Sequence, residues 1–322
     1  MLLIHVDDCI FGGIEQFHKD VIKPITEKYE ISSEDIGDFT FTGWNLRQTQ
    51  DGISISQSDY LDSMDIDKFE VLKNPAGNKT DLLSHDLQIM FRRAVGTLGW
   101  LTHISKPHLA YYSAHFGTKV MKATTEDSKL MYRTLKKAKT DTAVINIANL
   151  GPTDQWKIIS FSDSSWSRTK EFESIHGNIT ALFGSNSNCN ILDWQAIKSD
   201  PPSSSPMAAE ADGCVLALGK IQMLQYLLKE VLDVPKPQAI LFNDSKSLNE
   251  CVESTSVIKD KRMYINVAVL RSMMEKDCVK LNWIQGSLMA ADALTKHTAP
   301  KEHLLTLMNT SKLPFIPNFQ GD

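Results

Sequence analysis

Five short apolar runs after residue 155 constrain the fold of this 322-residue chain more than any other feature. They are 156–161, 177–183, 190–194, 239–243 and 279–284, each five to seven residues long. Each is rich in Ile, Leu, Phe or Trp and bounded by Gly, Asn, Asp or Ser, the pattern of strands. The first three follow one another closely, so they pair as an antiparallel meander. A helical pattern over 206–231 separates the third from the fourth, with Ser205 as N-cap and Pro206 at the first helical position. Helical patterns over 245–251 and 261–275 precede the fifth run, and another over 287–297 follows it. The order β-β-β-α-β-α-α-β-α predicts an α/β fold. Its centre is a five-stranded mixed sheet with flanking helices, whose last two strands return parallel through helical crossovers.

Four carboxylates fall at matching places in this plan. Asp163 and Asp244 stand just past the first and fourth runs, and Glu210 and Asp292 stand near the starts of two helices. Strand ends and the helix starts that face them meet at the carboxyl edge of an open α/β sheet, where ligands bind. Each acid alone has an ordinary explanation, a turn aspartate or a partner for a helix dipole. As an ordered set they predict a cluster of like charges that needs cations between them, and hard ions such as Mg²⁺ prefer oxygen ligands. Two such ions, with Mn²⁺ as a substitute, suit in-line attack of water on a phosphodiester. Asp163, on the central strand, is the acid expected to touch both.

The first half reads differently. Apolar runs flank Asp7 and Asp8 as in a tight hairpin, and 14–31 is helical with an interruption at Pro24. Residues 38–57 read as a second hairpin, and 58–69 as a short helix. A loop over 71–85 leads into a long helix that stops at Lys106-Pro107. Two further helices, over 108–120 and 126–139, precede a boundary at 141–152 that has room for one strand. The chain thus divides into 1–150, 151–300 and a tail, 301–322.

Composition narrows the function classes. The net charge of −5 does not favour a nucleic-acid partner, whose phosphates call for Lys and Arg. From 151 to 300, 15 Lys and Arg stand against 17 Asp and Glu, and neutralising four acids with metal turns −2 into +2. Five dispersed cysteines without a C-x-x-C pair suit a reducing compartment and argue against a zinc site or disulfide framework. No apolar run reaches the roughly 18 residues of a membrane span, and the start lacks the basic and apolar regions of a signal peptide. An intracellular place, cytoplasmic or nuclear, is the expectation.

From Asp163 onward the chain resembles the type-1 ribonuclease H domain of copia-type retrotransposon polyproteins. The motifs are F-S-D-S-S-W (Asp163), A-A-E-A-D (Glu210), F-N-D-S-K-S (Asp244) and A-A-D-A-L-T-K (Asp292). Upstream, H-V-D-D resembles the reverse transcriptase palm motif Y-V-D-D through Asp7 and Asp8, and G-T-L-G-W-L-T-H-I-S-K-P-H-L-A-Y resembles a helix of the same polyproteins. The resemblance implies a ribonuclease H-like fold and Mg²⁺-dependent hydrolysis of the RNA strand of RNA–DNA hybrids. It makes Asp163, Glu210, Asp244 and Asp292 both catalytic residues and metal ligands. Lys246, Lys259, Lys261 and Arg262 become candidate phosphate contacts.

Departures from the family pattern set further expectations. The chain starts at the palm motif, without the upstream palm aspartate. Asp7 and Asp8 are then a relic, His5 replaces the usual Tyr, and polymerase activity is not expected. The hairpin's apolar face would lie open and prone to self-association. Lys261-Arg262-Met263 replaces a common Lys-His-Ile, so no histidine stands near the acids in that stretch. A proofreading exonuclease would carry D-x-E where Ser165 stands, and an integrase would end its set on Glu rather than Asp292. An inactive or co-opted remnant that binds nucleic acid or protein is the alternative from another class.

Overall fold

The computed structural model of the chain describes residues 1–29, 31–166, 174–200, 202–254, 258 and 260–319. In the first half, β1 (Leu2–His5) and β2 (Asp8–Phe11) form a two-stranded hairpin with Val6 and Asp7 at its tip. A helical stretch follows: α1 (Glu15–Phe17), a π-helical turn over His18–Ile22, and α2 (Lys23–Lys28). The wide turn ends beside Pro24, whose ring cannot pack against the preceding helical carbonyl. Strands β3 (Asp38–Phe41), β4 (Trp44–Gln48) and β5 (Gly52–Ser56) come next. The single hairpin expected over 38–57 is therefore a three-stranded meander. Thr42 and Gly43, with φ of 48° and 85°, make a second tight turn of the primed type that hairpins favour.

Three helices pack after the short α3 (Ser58–Ser63): α4 (His85–Ile104), α5 (Ala110–Lys119) and α6 (Thr125–Lys139). Their apolar faces bury Phe91, Leu98, Leu101, Phe116, Met131 and Leu135 in one cluster. The Thr124 hydroxyl and Asp127 carboxylate form a reciprocal capping box at the start of α6. Strand β6 (Ile145–Ala148) then pairs antiparallel with β5 and completes a four-stranded sheet.

The second half holds the larger sheet, built from β7 (Lys157–Ser165), β8 (Ile175–Phe183), β9 (Cys189–Lys198), β10 (Ala239–Asn243) and β11 (Val279–Trp283). The order across it is β11-β10-β7-β8-β9. β7, β8 and β9 form an antiparallel meander, while β10 runs parallel to β7 and β11 parallel to β10. This is the five-stranded mixed sheet with flanking helices expected from the element order. The crossovers, α7 (Pro206–Leu232) and α8 (Lys246–Glu253) with α9 (Lys261–Asp277), pack together on one face of the sheet. Ser205 caps α7 by accepting from the Ala208 amide at 3.2 Å, and Pro206 opens its first turn.

Both faces of the sheet are covered, so successive residues of β7 go to different cores. Ile158 packs with Leu218, Ile221 and Leu241 under α7. Ile159 and Phe161 pack with Ile179, Phe242 and Leu294 on the other face. That second cluster also takes Ala110 and Ile145 from the first half, and Leu304, Leu307 and Met308 from α11 (Glu302–Thr310).

The helix expected over 287–297 is not continuous. A 3₁₀ turn spans Gly286–Leu288, and only Asp292–Thr295 is α-helical, as α10. Met289, Ala290 and Ala291 between them are buried in the sheet core. Tertiary burial of this apolar triplet outweighs its local helical preference.

Candidate active site

The carboxyl ends of β7 and β10 lie side by side, because these strands are parallel neighbours in register from Ala239↔Ile158 to Phe242↔Phe161. β7 continues past that point, and there it carries Asp163, buried opposite Gly177 of β8. Asp244 is the residue after β10, and Asp292 is the first residue of α10. Oxygens of these three carboxylates lie within 4.8 Å of one another. Asp163 is buried while Asp244 and Asp292 are half-buried, so the cluster is approached from their side.

Gly177 explains how α10 comes so close to the sheet. A Cβ there would stand 2.7 Å from Thr295, 2.8 Å from Leu294 and 3.1 Å from the Ala291 carbonyl. Only a residue without a side chain admits this approach. The α10 turn then delivers three groups to one place: Asp292, the Thr295 hydroxyl, which donates to Asp163, and Lys296. The Lys296 ammonium is 2.7 Å from Asp292 and 3.4 Å from Asp163. It bridges two of the three acids.

Glu210, in the first turns of α7, stands beside this trio rather than within it. The Asn243 side chain donates to Glu210 at 2.9 Å and to the Ser162 carbonyl at 3.1 Å, and accepts from the Ser245 amide at 2.9 Å. Asn243 thereby links the ends of β7 and β10 to α7.

Electrostatics follow from this crowding. Burial, then the charges of Asp292 and Asp244, push the Asp163 carboxyl above the usual aspartate range, against the pull of Lys296. Burial and the charge of Asp163 push Glu210 up as well. Asp244 is raised, chiefly by burial. Burial works against the Lys296 charge, but Asp163 and Asp292 outweigh it and hold the ammonium protonated.

The other expected residues lie elsewhere. Asp7 and Asp8 are exposed on the hairpin, beside exposed Leu3, Ile4 and Val6. Among the described residues no third metal-binding group gathers around them. Lys246 opens α8 next to Asp244 and lies 4.5 Å over the Trp283 ring, whose indole N–H donates to the Asp244 carbonyl. Lys261 is exposed. Arg262 turns inward, donating to the Pro202 carbonyl at 2.9 Å and to Asp212 at 3.3 Å. Lys259 lies outside the described residues. Residue-by-residue reading gave no role to Asn243, Thr295, Lys296 or Gly177. The Asp292-to-Lys296 spacing of four was the one signal available for them, since it puts both on one helix face.

No protein-family model and no curated protein matches the chain. Solved structures do. The ribonuclease H1 of the halophilic archaeon Halobacterium salinarum NRC-1 is 15% identical, covering 43% of this chain and 94% of its own, with a TM-score of 0.34. LC11 ribonuclease H1, isolated from compost by a metagenomic approach, is 17% identical over 43% of this chain and 92% of its own, also at 0.34. The foamy viral protease-reverse transcriptase in complex with RNA/DNA hybrid is 9% identical, with a TM-score of 0.49. That match covers all of this chain, which spans 38% of the viral one. The chemistry of the site has to be read from its own side chains.

Proposed function

We propose that the protein is a divalent-cation-dependent ribonuclease H of the copia-type retroelement class, cleaving the RNA strand of RNA–DNA hybrids. The observation that carries this reading is the convergence of Asp163, Asp244 and Asp292, from three separate segments, within 4.8 Å at one sheet edge. The donor set is all carboxylate oxygen, it includes no thiol or imidazole, and it opens to solvent on one side, which fits Mg²⁺ or Mn²⁺. Asp163, Asp244 and Asp292 would hold two ions, with Glu210 completing the set from α7. Bound ions of this kind supply an activated water and stabilise charge on the leaving oxygen.

The protein's own groups do the positioning. Asn243 orients Glu210, and Thr295 orients Asp163. Lys296 keeps the acids together before substrate and metal arrive. Contact with a 2′-hydroxyl, donor and acceptor at once, distinguishes RNA from DNA. The backbone after Asp163 and the Glu210 carboxyl are the candidate contacts. Lys246, beside Asp244, is the favoured phosphate contact, with Lys261 as a further candidate. In this reading residues 1–150 correspond to the end of a reverse transcriptase and 151–300 to the nuclease.

The test is incubation of the purified chain with a labelled RNA–DNA hybrid and Mg²⁺ or Mn²⁺, beside Asp163→Asn. Metal-dependent cleavage of the RNA strand, abolished in the variant, is expected. No cleavage at high protein concentration would remove the nuclease reading and leave a remnant that only binds. Cleavage that survives the substitution would place the activity elsewhere.

A further inference from the structure

The end of β11 carries an aromatic group that the acid cluster itself does not include. Trp283 is the last residue of this edge strand, opposite Asn243 in register, and 44% of it is exposed. Its contacts run to the acid site. The indole N–H donates to the Asp244 carbonyl at 3.0 Å. The next amide, that of Ile284, donates to the Asn243 carbonyl at 3.0 Å. Gly286 follows so close to Asp244 that a Cβ there would stand 3.3 Å from the carboxylate. The strand end therefore grips the main chain and flanks the side chain of one of the clustered acids.

The ring has a second partner. The Lys246 ammonium lies 4.5 Å from its centroid. Lys246 is two residues beyond Asp244 and opens α8, which Ser245 caps by accepting from the Leu248 amide at 3.3 Å. A lysine on a flexible four-carbon stem, this close to three carboxylates, would ordinarily swing onto them. Among the described ion pairs, those of Asp163 and Asp292 run to Lys296, and none runs to Lys246. The face of an indole attracts a cation through its quadrupole, and Trp does so more strongly than Phe or Tyr. Lys246 is exposed, so N–H donors of its ammonium stay open to a phosphate while the ring holds the charge.

We propose that Trp283 is a positioning residue of the nuclease site, holding the Lys246 ammonium beside Asp244 to take a backbone phosphate of the nucleic-acid strand that crosses the acids. The proposal rests on the nuclease reading and adds to it an anchor for the strand on the Asp244 side. A lysine free to reach Asp244 would neutralise that carboxylate and compete with a divalent ion. Seated on the ring, the same charge serves the substrate.

The test uses the full chain carrying Asp163→Asn, with Ca²⁺ and a fluorescein-labelled RNA–DNA hybrid, and reads anisotropy over a series of salt concentrations. Each phosphate neutralised adds about one to the steepness of log K against log salt. Lys246→Gln is expected to raise Kd several-fold and to lower that steepness by about one. Trp283→Leu is expected to lower it equally, and the double variant no further. Trp283→Phe, which keeps a ring and loses the N–H, is expected to restore it. A purely structural role would weaken binding in Trp283→Leu without altering the salt dependence. If Trp283→Leu does not fold, the indole resonance of Trp283, assigned by its loss in Trp283→Phe, serves instead. It should move in Lys246→Gln and on addition of hybrid to the parent chain. Salt dependence unchanged in either single variant, lowered further in the double variant or not restored by Trp283→Phe would overturn the pairing. So would an indole resonance that neither change moves, and in each case the nuclease reading stands. Absence of hybrid binding by the parent chain would overturn both.

Discussion

At the scale of single residues, Lys296 decides how the acid cluster exists without metal. Its ammonium occupies the space between Asp163 and Asp292 that a divalent ion would otherwise neutralise. Ion binding must therefore work against this cation. Partial exposure screens the interaction, so removing the charge is worth about ten-fold in affinity rather than the full Coulomb value. Lys296→Met is accordingly expected to bind Mn²⁺ about ten-fold more tightly in calorimetric titration. Unchanged affinity would mean that the lysine stays clear of the ions. The acids themselves carry the opposite sign of effect. The folded protein holds Asp163 with its carboxyl raised, so its charged form opposes folding at neutral pH and the opposition fades as pH falls. Asp163→Asn is expected to raise the metal-free melting temperature by about 2–4 °C. A lower melting temperature would show that the Thr295 and Lys296 contacts outweigh the repulsion.

At the scale of elements, the short α10 is the part whose placement depends most on a neighbour. Four helical residues have little stability alone, because a single turn fixes several dihedrals for few hydrogen bonds. Burial of Ala293, Leu294 and Thr295 against β8 holds it, and Gly177 sets the distance. Gly177→Val would drive a branched side chain into Thr295, Leu294 and a backbone carbonyl. Loss of cleavage is expected with a destabilisation of roughly 1–3 kcal/mol, the range of overpacked cores. Denaturant titration beside the cleavage assay checks it, and full activity in a folded Gly177→Val would show that α10 is not held at this point. The element order was legible because strands buried on both faces read as apolar runs. The break at 289–291 was not, since an Ala- and Met-rich triplet carries helical preference whether or not it is buried.

For the whole molecule, the segment leading out of the first half is pinned by a buried ion network. The Lys106 ammonium, 2% exposed, donates to the Asp141 carboxylate at 2.9 Å and to the carbonyls of Asp141 and Ala143. His108 lies 2.9 Å from the other Asp141 oxygen. Burial alone would raise the Asp141 carboxyl, but the hydrogen bonds and charges of His108 and Lys106 hold it far below the usual range. His108 is itself lowered, chiefly by burial. Both groups therefore bind protons more weakly folded than unfolded. Their contribution is present at neutral pH, begins to fall below the ordinary histidine range, and falls further below the ordinary aspartate range. The stability difference between the parent and Asp141→Ala is expected to decline from about pH 6.5 downward, with a further decline below about pH 4. Asp141→Ala, which strands a buried lysine, should cost about 3–5 kcal/mol. A difference that stays flat between pH 7 and 5, or an unaltered Asp141→Ala, would show that this network does not hold the segment.

The sequence alone determined the sheet and the identity of its acids, because both are local. Strand burial writes itself as apolar runs, a Ser-Pro pair marks the start of α7, and Asp163 and Asp244 stand at run ends. Tertiary structure decided what those acids touch. That Lys296 bridges Asp163 and Asp292, that Asn243 donates to Glu210, and that Gly177 admits α10 all depend on distances between segments far apart in sequence. The seat of Lys246 on Trp283 belongs to the same class, since the start of α8 and the end of β11 become neighbours only when the sheet forms. Side-chain chemistry is carried by each residue, whereas its electrostatic partners are set by packing.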